Sequence, residues 1–397
     1  MELNPVSRLL FELMNIITAV INIVLPASLQ PMLSAFFVGN IFAVYALPFS
    51  SIYLAFWACG ATSWLLPLFL LYMAVIFFDP AHLKAPDFKR HSKFRQLNFM
   101  QRRSLAFWSA HFAYFPMKTK FAPGAREAID PNRQYIFAVH PHGIHCWPLN
   151  IFAFVSSSFY DAFPGMPITG IAATIMFKLP MIRELFLTMQ YRDAGRPTCE
   201  KILKGNKGER GSSLFICTGG EAESLLTESG VDKVVLLGRK GFVRLALSWG
   251  CPLVPVYGFG VSDLYTTYTF AQGFRRWLAK AAHVAIPLFT GSFGTPLPHR
   301  RPVAVLIGKP IPVPEPPSRG AKPSDALVDV YHAKYIAALV ELYNTHAPTG
   351  EDGKPRELKI LKAQLKHTRV LANIVPSCRW PRQETGFRRK ISDHKEV

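Results

Sequence analysis

Hydrophobic positions dominate the first fifth of the chain. From Leu13 to Phe78 there is no Asp, Glu, Lys, Arg or His, a run of 66 residues, and about 20 apolar residues suffice to cross a bilayer once. Prolines at 26, 31, 48 and 67 and the small-residue stretch "CGATS" (Cys59–Ser63) interrupt it. The pattern predicts an apolar or interfacial segment near Leu9–Leu25, then two helices over Met32–Trp57 and Trp64–Phe78 that turn near Gly60. The second is short for a full span, so a transmembrane and a re-entrant hairpin are both open. A cleaved signal peptide fits poorly, because the run far exceeds an h-region and no small-residue cleavage site precedes a polar start.

Beyond Phe107 the period changes. Short β-rich runs recur at "YIFAV" (135–139), "SLFIC" (213–217), "PLVPVYGF" (252–259) and "VAVLIG" (303–308), separated by helix-compatible stretches. That alternation predicts an α/β domain with a central sheet covered by helices. A proline-rich connector at 310–325 leads into a helix over Ala326–His346, with Val328, Tyr331, Tyr335, Leu339 and Leu342 on one face. The organisation is therefore a membrane-anchoring segment over 1–80, a folded domain over 81–346 and a basic, loosely ordered tail over 347–397.

Charge adds a partner class. The 397 residues carry a net charge of +19 and a pI near 9.8, which suits an anionic lipid surface, a nucleic acid or a polyphosphate-bearing molecule such as coenzyme A. Zinc-finger spacing, an RNA-recognition signature and a basic helix with heptads are all lacking, so no nucleic-acid partner is expected. Lys84, Lys89, Arg90, Lys93, Arg95, Arg102 and Arg103 form a basic collar directly after the apolar run. By the positive-inside bias that side is cytosolic, and the collar would sit against acidic headgroups. Cys59, Cys146, Cys199, Cys217, Cys251 and Cys378 are scattered and read as reduced cytosolic thiols.

Candidate chemistry centres on "YIFAVHPHGIHCWPLN", with His140, His142 and His145 within six residues. Period 2 carried through the strand would put His140 and His142 on one side of its end. Gly143 leaves room for a ligand or another backbone beside them. Three readings compete here: a general base, a zinc site with His145 as third ligand, and histidines simply satisfied at a turn. Zinc is disfavoured, since no acidic partner lies close in sequence, and no metal is expected. Elsewhere "GGEAESLL" (219–226) puts Glu221 and Glu223 after a strand, and "RKGFVRLAL" (239–247) puts Arg239 and Lys240 ahead of a helix, a plausible phosphate contact.

Taken in order, these segments resemble the type 2 diacylglycerol O-acyltransferase family, which includes monoacylglycerol and wax-alcohol acyltransferases. The likeness runs from about Asp79 to His346 through "YFP" (114–116), "HPHG" (140–143), "LPMIRELF" (179–186), "GGEAES" (219–224), "RKGF" (239–242), "LVPVYGFG" (253–260), "GKPIPVP" (308–314) and "YHAKYIAAL" (331–339). The resemblance implies a mixed sheet of glycerolipid-acyltransferase type. It also implies an endoplasmic-reticulum enzyme, facing the cytosol and able to reach lipid droplets, that makes triacylglycerol from acyl-CoA and diacylglycerol. Monoacylglycerol or a long-chain alcohol is the alternative acceptor, and a non-enzymatic lipid-binding or droplet-coating protein the alternative class.

The implied roles follow residue by residue. His140 is favoured as general base with His142 close behind, Glu223 as its carboxylate partner, and backbone N–H groups around Gly143 as oxyanion donors. Arg239 and Lys240 would meet the coenzyme A phosphates, and Tyr114, Phe115 and Pro116 would line the substrate pocket. A thioester is already activated, so neither a covalent intermediate nor a permanently bound cofactor is implied; acyl-CoA is a co-substrate, membrane lipids including diacylglycerol are partners, and homo-oligomerisation is left open. Three departures from the family pattern stand out. Val261 occupies the place of an acid after "FG", with Asp263 two positions on; Glu221 replaces a small residue; and five positions after His140, where related phosphoglycerol enzymes carry Asp, this chain has His145.

Overall fold

A computed structural model describes residues 62–85, 114, 117–153, 157–179, 182–205, 211–270, 272–275, 277, 287–348 and 355–362. The expected segments Leu9–Leu25 and Met32–Trp57, most of the basic collar, and the tail beyond 362 lie outside these residues.

The second apolar helix is present as α1 (Thr62–Phe78). Its 17 residues rise about 25 Å, less than the roughly 30 Å hydrocarbon core, and among the described residues no helix is long and apolar enough to cross a membrane. Leu70, Leu71, Phe77 and Phe78 are exposed on it while Ile76 is buried. Asp79, just past its end, accepts from the buried Arg183 at 2.7 Å and ties α1 to the domain.

The domain follows as β1 (Lys118–Phe121), β2 (Ile136–His140), α2 (Asn150–Ala153), α3 (Ser158–Ala162), β3 (Ile168–Ala172), α4 (Ile182–Thr188), β4 (Tyr191–Asp193), α5 (Arg196–Lys204), β5 (Ser213–Cys217) and α6 (Glu221–Leu226). It continues through β6 (Lys233–Leu237), α7 (Gly241–Trp249), β7 (Leu253–Phe259), β8 (Thr266–Tyr268), β9 (Leu288–Thr290), β10 (Ala304–Ile307), α8 (Asp325–Asn344) and β11 (Lys359–Lys362). Seven strands form one mixed sheet in the order β1-β10-β7-β2-β5-β3-β4. From β7 to β4 all neighbours are parallel, whereas β10 runs antiparallel to β7 and β1 parallel to β10. The four strands expected from β-rich runs are all present, with ends shifted by at most one residue; β2 extends to His140.

Alternation along β2 divides the core. Phe137 and Val139 face one layer with Phe152, Phe159 and Phe215, while Ile136 and Ala138 face the other with α5, α7 and α8. Both faces are covered, which is why the parallel strands read as continuous apolar runs rather than alternating ones. In the aromatic layer Phe152 stacks on Phe215 at 5.4 Å and meets Phe159 edge-on at 4.8 Å. On the other side α8 starts at Ser324, whose hydroxyl accepts from Leu327 N–H at 3.3 Å, an N-cap that satisfies one of the first-turn donors. It buries Val328, His332, Tyr335, Leu339, Leu342 and Tyr343; Tyr331, expected on that face, is only partly covered.

Because Phe215 is fully enclosed and contacts two rings, Phe215→Ala should cost about 3–5 kcal/mol. Thermal unfolding of the detergent-solubilised protein should show this as a lowered midpoint.

Candidate active site

Parallel strands deliver their carboxyl ends to one edge, where open α/β sheets place ligands. There β2 ends with His140, in register with Tyr257 of β7, and β5 ends beside it, with Val139 opposite Cys217. The strand stops at His140, followed by a cis peptide bond to Pro141, so the alternation expected to continue through His142 does not.

After β5 the chain turns through Gly219 and Gly220 into α6. Gly220 adopts a left-handed φ of 55°, and at Gly219 a Cβ would lie 1.9 Å from Glu223 Cδ. The first glycine thus makes room for a carboxylate that the second lets the chain bend back to present. Glu223 is 3% exposed. Its Oε2 accepts the His142 N–H at 2.6 Å, its Oε1 accepts the Val235 N–H of β6 at 2.6 Å, and Oε1 stands 3.9 Å from His140 Nδ1. The carboxylate therefore holds the backbone of the histidine loop by charge-assisted hydrogen bonds and meets the His140 ring only through space. Glu221 is half-buried.

The three histidines occupy different environments. His140 has no exposed surface. Its Nε2 is 3.1 Å from Tyr335 Oη, and Thr218 Oγ1 lies 3.2 Å from Nε2 and 3.4 Å from Nδ1. Tyr335 donates its proton to the Ala138 carbonyl at 3.0 Å, which assigns it as acceptor toward Nε2–H of His140. Burial, and behind it the charges of Cys217 and Glu223, pushes the Tyr335 hydroxyl well above the usual tyrosine range, so it stays protonated.

His142 is half-buried, with Nδ1 3.0 Å from the Gly143 carbonyl. A carbonyl can only accept, so the proton sits on Nδ1 and Nε2 carries the lone pair. Gly143 has φ of 62°, and a Cβ on it would lie 2.6 Å from Val261 Cγ1. Val261 thus packs under the histidine turn as an apolar floor. Asp263, two positions on, instead pairs with Arg356 at 2.9 Å.

His145 meets Trp147, Tyr265 and Phe289 edge-on at 6.2, 5.8 and 5.7 Å. Burial first, then the charge of His142, lowers its pKa from 6.5 to about 3. Among the described residues no group of three or more His, Cys, Asp or Glu is arranged to hold a metal ion.

The other expected residues divide. Arg239 is exposed and donates to the Gly219 carbonyl at 3.3 Å, beside the Glu223 turn. Lys240 pairs with Asp329 of α8, and Arg244 with Asp325. Tyr114 is buried and donates to the Pro298 carbonyl at 2.7 Å, while Phe115 and Pro116 lie outside the described residues. Thr218, Val235 and Tyr335 were not singled out for the site by sequence. Thr218 immediately precedes "GGEAES", and Tyr335 lies inside "YHAKYIAAL", where its spacing indicated only an apolar helix face.

Fold and site together define an α/β enzyme with imidazoles and a buried carboxylate at its strand ends. Residues 59–358 match the model of the family described as "Diacylglycerol acyltransferase". Diacylglycerol O-acyltransferase 2A of Umbelopsis ramanniana is 32% identical over 66% of this chain and 74% of its own length. Acyl-CoA wax alcohol acyltransferase 2 of Homo sapiens is 33% identical over 64% and 77%, and diacylglycerol O-acyltransferase 2 of Dictyostelium discoideum 31% identical over 69% and 82%. A crystal structure of the 1-acyl-sn-glycerophosphate (LPA) acyltransferase PlsC from Thermotoga maritima superposes on 70% of this chain and 96% of its own at 15% identity, with a TM-score of 0.36. The chain belongs to the diacylglycerol acyltransferase family and is an acyltransferase.

Glu223→Gln would set an amide NH₂ against one of two backbone donors, so it should cost about 1.5–3 kcal/mol of stability and lower turnover, whereas Glu221→Gln should leave both near wild type; melting curves and initial rates on the two variants check this. His145 supplies a pH prediction. Between pH 6.5 and about 3 the unfolded chain protonates this ring and the folded protein does not, so this group withdraws stability as pH falls through that window. His145→Phe should flatten the acid side of a plot of melting temperature against pH.

Proposed function

We propose that the protein moves a fatty acyl group from acyl-CoA to the free hydroxyl of diacylglycerol, giving triacylglycerol and free coenzyme A in a single displacement. The observation that carries the reading is His142: its Nδ1–H is held by the Gly143 carbonyl and its Nε2 lone pair is left to take a proton. The acceptor oxygen attacks the thioester carbonyl as Nε2 removes its hydrogen, the carbonyl electrons shift to oxygen, and collapse of that intermediate breaks the C–S bond. The imidazolium then returns the proton to the departing thiolate. Backbone N–H groups around Gly143 are the candidate oxyanion donors.

Sequence reasoning favours His140 as the base. Its ring is wholly enclosed between Thr218, Tyr335 and Glu223, so the proposal gives the proton transfer to His142 and a positioning role to His140. Glu223 supports His142 through its backbone and adds negative charge beneath the site, favouring the imidazolium. Arg239 is the candidate contact for coenzyme A phosphates, while Lys240 has to leave Asp329 to join it. The uncharged run and basic collar argue for a membrane location with the domain on the cytosolic side, and membership of the family implies the endoplasmic reticulum and access to lipid droplets. A second reading, a monoacylglycerol or long-chain alcohol acceptor, is favoured by the similarity to a wax alcohol acyltransferase.

Membranes bearing the chain, supplied with labelled acyl-CoA and each acceptor in turn, should yield labelled triacylglycerol above the other esters. Absence of any ester would leave only the lipid-binding alternative. His142→Ala should lower kcat about 10²- to 10⁴-fold in protein that still melts cooperatively. Retention of near-normal turnover by that variant would return the base to another residue.

A further inference from the structure

One stretch outside the site combines features that a water-facing surface does not need. From 264 to 314 the chain has no Asp or Glu but carries Arg275, Arg276, Lys280, Arg300, Arg301 and Lys309. Its described part is the antiparallel hairpin β8–β9, with Thr266 opposite Thr290, and the segments that flank it. Large apolar side chains there point outward: Phe293 is 94% exposed, Phe270 79% and Trp277 60%, with Phe274, Tyr268 and Leu288 also exposed. Exposed apolar side chains clustered in one segment and bordered by cations mark a contact surface rather than chance exposure.

This display is built rather than frayed. Arg275 is buried, and its guanidinium donates to the carbonyls of Phe270 at 3.1 Å and Tyr268 at 2.8 Å, holding the loop so that the rings stay outside. Phe274 and Trp277 stack at 5.7 Å. Phe293 sits at a φ of 58°, a conformation unfavourable for a bulky residue, and such strain clusters at functional segments.

The inner side of the segment reaches the candidate site. Phe289 of β9 and Tyr265 pack on His145, Gln272 donates to the Leu225 carbonyl of α6 at 3.4 Å, and Ser229, just beyond α6, donates to the Tyr265 carbonyl at 2.7 Å. One element thus touches both the histidine loop and the helix that carries Glu223.

We propose that this aromatic hairpin is a second membrane-contact surface, separate in sequence from the N-terminal apolar run, and that its occupant is the surface of an anionic phospholipid bilayer. Exposed aromatic residues in a segment that carries cations and no acidic residue of its own match the polarity of the headgroup boundary, where Trp and Tyr rings rest and Lys and Arg meet acidic lipids. Contact there holds the edge of the candidate site against the bilayer. The further consequence, that an acceptor lipid enters beside the hairpin, rests on the proposed activity; the contact itself does not.

The test uses the full chain reconstituted in phosphatidylcholine vesicles with and without phosphatidylserine. p-Benzoylphenylalanine replaces Phe293 or Phe270, or, as a control, Val330, an exposed apolar position on α8. Illumination should give phospholipid adducts several-fold above the control from both hairpin positions, and phosphatidylserine should increase them. Adducts no greater than those at Val330, or crosslinks to a second copy of the chain in their place, would overturn the proposal. The readout is lipid attachment, so an inactive protein that still forms adducts would count against the enzymatic reading and not against this one. Phe293 is almost wholly solvent-exposed, so its replacement leaves the core intact.

Discussion

A buried carboxylate constrains the rest of this structure. Glu223 is removed from water, and an ionised group in that position is tolerable only if donors replace its hydration. Two backbone N–H groups do so, from His142 in the loop after β2 and from Val235 in β6. The histidine loop is thereby fixed at the carboxyl end of the sheet to α6 and β6, two neighbouring elements about 80 to 90 residues further along the chain. The glycines of the β5–α6 turn follow from the same need, because any side chain at Gly219 would occupy the space of the carboxylate.

The surroundings extend this arrangement outward. On one side α8 reaches the site through Tyr335, and Tyr343 from the same helix donates to the buried Asp232 at 2.8 Å. Ser262 also donates to Asp232, at 3.0 Å, and Asp232 directly precedes β6. The C-terminal strand β11 pairs in parallel with β6, and Arg356 closes on Asp263. The donor strand for Glu223 is therefore braced by a segment about 125 residues further along the chain. On the opposite side the site borders an aromatic wall of His145, Tyr265 and Phe289, where uncharged imidazole serves as another ring. Polar bracing beneath and apolar surface beside is a suitable division for chemistry that joins a charged thioester donor to a water-insoluble alcohol.

Much of the fold was legible because it depends on local periodicity. Buried parallel strands produce apolar runs whatever their neighbours, and "SLFIC" corresponds to β5 residue for residue. The α8 face was nearly complete, missing the turn by which His332 and Tyr343 are buried in addition to Tyr335. The three-residue strands β4, β8 and β9 left no comparable signal, because segments so short carry no period. Parts of the site were legible for another reason: "HPHG" and "GGEAES" set titratable residues beside glycines directly after apolar strand runs, a composition that apolar packing alone does not require.

By itself, the sequence determined that a 66-residue uncharged run precedes an α/β domain, and that histidines at one strand end and glutamates at another are the chemical candidates. Only the tertiary structure decided which imidazole is enclosed and what holds the histidine loop in place, because those partners lie far away in the chain. Tyr335 meets His140 across 195 positions, Glu223 meets the His142 backbone across 81, and Phe289 reaches His145 across a strand pair with no counterpart in the local pattern. Periodicity reports which face of an element is dry. Hydrogen-bond direction and the enclosure of a single ring arise only when the elements pack.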